Sequence, residues 1–354
     1  MTQTSQYAIP HGSKVLVTGA NGYIASHIIN VLLELGYFVR GTVRTSMPWL
    51  QDYFEKEWGP DRCEFVQVPD FQKVDAFDSC VQGISGIIHV VSSSSPSQET
   101  TIDICNKAQA LPSGSGVEDI DAAVAYTVNG SVNILRAAAT QDSIKRVVFT
   151  SSIVAAGYPT GPGFKLDVDS WDTCVSQEAS LSKQRSAYRE CKTQGEFQAW
   201  KWVEANRPGF EFNTVLPWFT IGNVLHSKIG GSTMGYVTGL LQGNTLPFKF
   251  LPLPWHVDVV DVARLHAIAL FSPSVKSERI FAAAGPFTWK QVVEVLRHIQ
   301  PNNSRIQDSP PDEQATTGEV VPADRAERLL QDHFGQNKWT PIAASLISGI
   351  DEEK

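Results

Sequence analysis

The sequence is short of everything that a metal site, a disulfide scaffold or a membrane anchor requires. Its five cysteines, Cys63, Cys80, Cys105, Cys174 and Cys191, are odd in number, scattered and without a C-x-x-C pair, which argues against a disulfide framework and a zinc knuckle. The eight histidines do not gather at ligand spacing, so no metal is expected and His256 and His266 read as packing residues. No run of about 18 apolar residues occurs. The opening MTQTSQYAIPHGSK has no apolar signal core, so a soluble, cytoplasmic protein away from membranes is expected. An excess of basic charge is also missing. With 29 Lys+Arg against 37 Asp+Glu, a net charge of -8, a sequence-independent hold on nucleic-acid phosphates is not expected.

What the chain does have is apolar, β-branched sequence punctuated by glycine and proline. Hydrophobic residues make up 42% of 354 and charged residues 19%, enough to bury a large core without staples. Residues 14–18 (KVLVT) are a short apolar run of the kind a parallel strand covered on both faces needs. The segment from Gly19 to Ala25 follows. Then comes the helical pattern Ile28, Ile29, Leu32, Leu33, Leu35, stopped at Gly36. Further strands are expected at 37–43, 64–68, 86–91, 146–150 and 212–216, and helices over 71–82, 119–141 and 185–206. This alternation predicts an α/β fold, a Rossmann-type doubly wound parallel sheet covered by helices. The expected nucleotide-binding domain spans 12–216, with 256–271 packing back onto it. A smaller, mostly C-terminal cap for substrate would take 217–255 and 272–354. Ser92 to Ser97 and Leu111 to Gly116 are loops by composition, and the role of the whole stretch 92–120 stays open.

Gly19-Ala20-Asn21-Gly22-Tyr23-Ile24-Ala25 stands where a dinucleotide's pyrophosphate is held, between the first strand and the first helix. Gly19 would allow the tight turn and Gly22 a close approach of backbone to phosphate. Ala25 would allow close packing of helix on strand. NAD binders end the second strand with an acid that accepts hydrogen bonds from the adenosine ribose. This chain reads Gly41-Thr42-Val43-Arg44 there, with no acid before Asp52. A guanidinium suits a ribose 2′-phosphate, so NADPH/NADP+ is the expected cofactor and Arg44 its phosphate ligand. The plain alternative, a solvated arginine, is assigned to Arg40.

Tyr188 and Lys192 lie four residues apart in a helical stretch, one turn apart on the same face. Gly195, Ala199 and Trp202 continue that face, so it turns inward. An ammonium on an inward face needs a reason. Here it would stabilise a tyrosinate and hold the hydroxyls of the nicotinamide ribose, bringing the phenol toward the range useful for proton transfer. The strand 146–150 ends in Ser151-Ser152, at the carboxyl edge where ligands bind in such sheets. Ser152 is the expected catalytic hydroxyl, set to hydrogen-bond a carbonyl beside the phenol. A chance tyrosine–lysine pair on one helix is the plain alternative.

Together these residues resemble the extended short-chain dehydrogenase/reductase family, in particular its dihydroflavonol-reductase-like group with the fungal and yeast aldehyde and ketone reductases. The stretches that carry the likeness are KVLVTGANGYIASHIINVLLELGYFVRGTVR, TVNGSVNILRAA, RVVFTSS, YRECK, VLPWFTIG and HVDVVDVARLHAIAL, over roughly 14–270. The resemblance implies a catalytic Ser152, Tyr188 and Lys192. It further implies pyrophosphate on Asn21, Gly22, Tyr23 and Ile24, and the adenine amino group on Asp70. Val90 and Ser92 would line the cofactor, Asn129 would support the active site with a polar group, and Pro217 would touch the carboxamide end. The chain departs from the pattern in the four serines 92–95, in a long linker over 99–120, and in Cys191 before the catalytic lysine.

The expected activity is an NADPH-dependent carbonyl reductase, monomeric or homodimeric, with Tyr188 as proton donor. The region 217–253 is rich in aromatic and aliphatic residues and poor in charge. Trp218, Phe219, Met234 and Tyr236 are therefore candidates for a pocket whose small-molecule carbonyl substrate is a bulky hydrophobic or aromatic aldehyde or ketone. Two alternatives remain in view: a nucleotide-sugar epimerase or dehydratase of the same superfamily, and a non-catalytic dinucleotide sensor. Asp258 and Asp261 fit a turn and a helix start better than an acid pair.

Overall fold

The computed structural model describes residues 7–90, 120–157, 163–172, 187–250, 255–311 and 313–350. A first set of elements runs β1 (Lys14–Val17), α1 (Tyr23–Glu34), β2 (Phe38–Val43), α2 (Pro48–Trp58), β3 (Cys63–Gln67), β4 (Gly86–His89), α3 (Ile120–Ala139) and β5 (Arg146–Thr150). After β6 (Lys165–Leu166) come α4 (Ala187–Asn206), β7 (Glu211–Pro217), β8 (Phe219–Ile221), α5 (Met234–Leu240) and α6 (Pro247–Phe250). The chain continues through β9 (Trp255–Asp258), α7 (Val259–Phe271), β10 (Arg279–Ala282), β11 (Gly285–Pro286) and α8 (Trp289–Ile299). β12 (Glu319–Val320), α9 (Ala323–Phe334) and α10 (Ile342–Ile350) close it.

Seven strands form one sheet in the order β10-β7-β5-β4-β1-β2-β3, every neighbouring pair parallel. The expected doubly wound parallel sheet is thus present. Alternation along each strand feeds two cores, because successive side chains leave opposite faces. Val15, Val17, Val39, Ile88 and Val148 pack with α1, α7 and α9, whereas Leu16, Ile87, Val147 and Phe212 pack with α3 and α4 on the other side. The order reverses between β1 and β4, and a crevice at the carboxyl ends of strands opens at such a switch point. Gly36, at φ +84, ends α1 as the sequence predicts. The amides of Gly36 and Tyr37 reach back to the carbonyls of Leu33 and Leu32, the two bonds of a Schellman stop.

Two expectations need correction. Residues 71–82 are a series of turns and not a helix. The buried Asn133 on α3 donates from Nδ2 to the carbonyls of Phe71, Gln72 and Lys73 at 3.2, 2.7 and 3.0 Å, and the chain then folds through short amide-to-carbonyl bonds such as Ala76 to Lys73 and Cys80 to Phe77. A side chain 60 residues away thus captures carbonyls that a helix would have used itself. Nor does the segment after 272 belong wholly to a cap. β10 is an edge strand of the large sheet, and Ala326, Leu329 and Leu330 of α9 share the core of β1 and α7. The remaining cap is a three-stranded sheet, β11-β9-β8, whose core gathers Phe219, Met234, Phe287, Trp289 and Leu346.

Candidate active site

The glycine turn follows β1 directly. Gly19 has φ +66, a conformation that L side chains avoid, and a Cβ on Gly22 would lie 3.1 Å from the Gly19 carbonyl oxygen. The first turn of α1 carries no side-chain cap and no acidic residue. The positive end of this helix is therefore left for an anion, as a pyrophosphate requires. Tyr23 contributes differently from a phosphate ligand's side chain. It is buried and its phenol donates to the Gly222 carbonyl at 2.8 Å. His27, one turn on, lies 2.8 Å from the Asn223 carbonyl, so the turn is tied to the cap. Burial, and then the charge of Asp258, pushes the Tyr23 phenol well above its usual range.

Thr18, which the sequence reading did not single out, joins β1 to β4 across the switch point. Its Oγ1 accepts from the Val90 amide at 3.0 Å and lies 3.0 Å from His89 Nδ1. A hydroxyl just before the first glycine was the available signal. Val90 is half-buried there, while Ser92 lies outside the described residues.

Arg44 is exposed at the end of β2. The strand beneath it is packed tightly against the turn, since a Cβ on Gly41 would come within 2.8 Å of the Ala20 Cβ. Asp70 is half-buried and accepts from the Gln72 amide at 3.1 Å. Tyr126 of α3 lies within electrostatic reach of both. Burial raises its phenol above the usual range, Arg44 opposes that rise and Asp70 adds to it. Tyr126 is a second residue that sequence reasoning missed. These features fit a dinucleotide: a glycine cradle that a Cβ would crowd, an uncapped helix start and a cation at the second strand.

Asn129 requires correction. It is exposed on α3, whereas Thr127 and Ser131 on the same helix are buried beside Lys192. At about 3.6 residues per turn, positions 127 and 131 share a face, and a residue two places on from 127 points almost the opposite way.

Lys192 reaches the end of β5, two residues before Ser152. Lys192 is buried and its Nζ donates to the Thr150 carbonyl at 3.2 Å. Ser152 is buried with extended backbone, φ -158 and ψ 154, and opens the short 3-10 turn Ile153–Ala155. Half-buried Tyr188 stands one turn before Lys192 on α4. Behind Lys192 lies a cavity of about 20 Å³ lined by His89, Thr127, Ser131, Ser151, Gly195 and Glu196 among others. Burial, helped by the Lys192 charge, takes the His89 imidazole down to about 3. Burial likewise takes His266, whose Nε2 is 2.7 Å from Thr150 Oγ1, down to about 4. Both rings are neutral packing groups. His256 bonds the Gly285 carbonyl, and among the described residues no three metal-ligating side chains gather.

Pro217 ends β7 opposite Ala282. The half-buried Trp218 follows and stacks on Trp255, ring centres 5.8 Å apart. Tyr236 is half-buried and stacks on Phe219 at 6.5 Å. Phe219 and Met234 are buried in the core of the cap, so Trp218 and Tyr236 are the candidates of this group left partly open. Asp258 caps α7, accepting from the Val260 amide at 2.7 Å. Asp261 accepts from Gln336 and Thr340. Both serve structure. Among the described residues no helix is long and apolar enough to cross a membrane.

Known proteins resemble this chain along its length. The model of the NAD dependent epimerase/dehydratase family matches residues 15–283. A ketoreductase, adrE of Penicillium rubens, is 61% identical over 353 residues, covering 100% of both chains. Aldehyde reductase 2 of Sporidiobolus salmonicolor is 34% identical over 367 residues, covering 100% of this chain and 99% of its own. Among solved structures, yeast methylglyoxal/isovaleraldehyde reductase Gre2 complexed with NADPH superposes with a TM-score of 0.75 over 95% of this chain and 96% of its own, at 23% identity; it speaks for the fold. With the glycine turn, the doubly wound sheet and these matches together, the chain belongs to the NAD-dependent epimerase/dehydratase family.

Proposed function

We propose that this protein is an NADPH-dependent carbonyl reductase that converts a hydrophobic or aromatic aldehyde or ketone to the alcohol. The single observation that carries the reading is the 3.2 Å bond from Lys192 Nζ to the Thr150 carbonyl. It ties the helix of Tyr188 to the strand end that presents Ser152. The reductase names of full-length relatives support the same activity, and the cation Arg44 where an acid would serve NAD supports NADPH.

When bound along the glycine turn and Arg44, the reduced nicotinamide dinucleotide supplies the hydride that a carbonyl carbon accepts. Ser152 hydrogen-bonds the carbonyl oxygen and orients it. Tyr188 donates its phenolic proton to that oxygen as negative charge develops. The Lys192 ammonium, held by Thr150, favours the tyrosinate left behind, since an opposite charge nearby lowers a phenol's pKa. Trp218 and Tyr236 offer apolar area to the rest of the substrate, with burial contributing roughly 25 cal/mol per Å².

A panel of carbonyl compounds assayed by NADPH oxidation tests the reading. Aryl ketones, hydrophobic β-keto esters and aromatic aldehydes should be reduced with higher kcat/KM than short keto acids or nucleotide sugars. Preference for a nucleotide sugar would return the protein to the epimerase and dehydratase chemistry of its family. Binding of NADPH without turnover of any carbonyl would make it a sensor.

A further inference from the structure

Glu196 is the third residue of a series, Tyr188, Lys192, Glu196, spaced by four along one face of α4. It is buried, yet its carboxylate accepts from four side chains at once. Oε2 accepts from Ser151 Oγ at 2.6 Å, and Oε1 accepts from Thr214 Oγ1 on β7 at 2.9 Å. Oε1 also accepts from Arg279 Nε on β10 at 2.8 Å and from Trp200 Nε1 at 3.3 Å. The Glu196 and Arg279 side chains are 1% and 8% exposed. A buried ion pair is on average no more stabilising than apolar packing of the same shape, and its best-attested use is to fix one arrangement among several.

Two paths run from this pair to the reacting groups. Through Ser151, whose amide also donates to the Val215 carbonyl at 2.8 Å, it holds the residue next to Ser152. Through Arg279 it holds the segment before α4. Nη1 donates to the carbonyls of Val168 and Ser170 at 2.9 and 2.6 Å, and the guanidinium lies 3.9 Å over the Trp171 ring. The next residue, Asp172, pairs with Arg189, the neighbour of Tyr188.

We propose that Glu196 is a positioning residue for the reaction: clamped by Arg279, it sets Ser152 and Tyr188 in register with Lys192. The inference rests on the reductase reading above. Ser151→Ala and Glu196→Gln, singly and together, test it by NADPH oxidation with a carbonyl that the unmodified protein reduces, beside NADPH titration by fluorescence and thermal melting. Misplacement of reacting groups by an ångström costs up to about 100-fold. Each single variant should accordingly lower kcat by about tenfold or more while the NADPH dissociation constant stays within about twofold. The double variant should be no worse than the poorer single one, since both break one link. Ser151→Ala leaves the Glu196–Arg279 pair standing and decides the matter alone if Glu196→Gln fails to fold. A lowered melting temperature with unchanged kcat in Ser151→Ala would make the network a fold stabiliser and overturn the inference, as would additive losses in the double variant. An unmodified protein that oxidises NADPH with no carbonyl fails the reductase reading first, before any variant is compared, and the positioning role falls with it.

Discussion

Lys192 Nζ reaches across 42 residues to the backbone oxygen of Thr150, at 3.2 Å. One bond thereby fixes the helix of the tyrosine against the strand that ends in Ser151 and Ser152. Because the acceptor is a backbone carbonyl, no change of side chain at 150 removes it, and the ammonium itself is the vulnerable partner.

Replacement of the two helix residues should therefore separate their roles. Tyr188→Phe keeps the ring and removes the proton donor, so kcat should fall by about 10²–10⁴ with NADPH affinity nearly intact. Lys192→Ala should lose both turnover and cofactor affinity. Steady-state kinetics and fluorescence titration measure these, and near-normal turnover by Tyr188→Phe would put the acid elsewhere.

Coenzyme choice should depend on Arg44. The unmodified protein should favour NADPH over NADH by at least about tenfold in kcat/KM, since a hydrogen bond to a charged group contributes about 1.5–3 kcal/mol. Arg44→Ala should remove most of that preference while leaving NADH use almost unchanged. Equal use of the two coenzymes by the unmodified protein would refute the assignment.

Stability should fall on the acid side. His89 and His266 have folded pKa values of about 3 and about 4, below the unperturbed value near 6.5. The unfolded chain thus binds more protons than the folded one between those limits, and stability rises with pH there. The contribution is complete above about pH 6.5 and is lost as pH falls toward the folded values, by up to about 1.4 kcal/mol per unit for each ring. Urea titrations at pH 7.5, 6 and 5 measure the slope, and a slope that His266→Gln leaves unchanged would refute the assignment of that ring.

Asn133→Ala should destabilise the fold without touching the reacting groups. Three carbonyls lose one shared donor, a cost of about 1–3 kcal/mol, or roughly 2–4 °C in Tm per kcal/mol for a large domain. Thermal melting checks it. An unchanged Tm would mean that the 71–73 turn holds itself.

Much of this was legible before the structure. Apolar β-branched runs separated by helical periodicity specify strands with helices over both faces, and β5 and β7 lie where the pattern puts them. The glycine turn, Arg44 and the Tyr188–Lys192 spacing could be read because each depends on a short stretch of chain. Asn129 failed for the opposite reason. Two polar residues two places apart look equivalent in a motif, but the helix turns one to Lys192 and the other to solvent.

By itself the sequence determined the parallel sheet, the glycine turn at its first crossover and the placing of Tyr188 and Lys192 one turn apart on one helix, all set by short stretches of chain. The tertiary structure alone decided that 71–82 is not a helix, that β10 joins the large sheet, and that Glu196 meets both Ser151 and Arg279. Those outcomes depend on partners as far apart as the 83 residues between Glu196 and Arg279. Burial decides which of the possible hydrogen bonds must be made, and burial is a property of the packed chain.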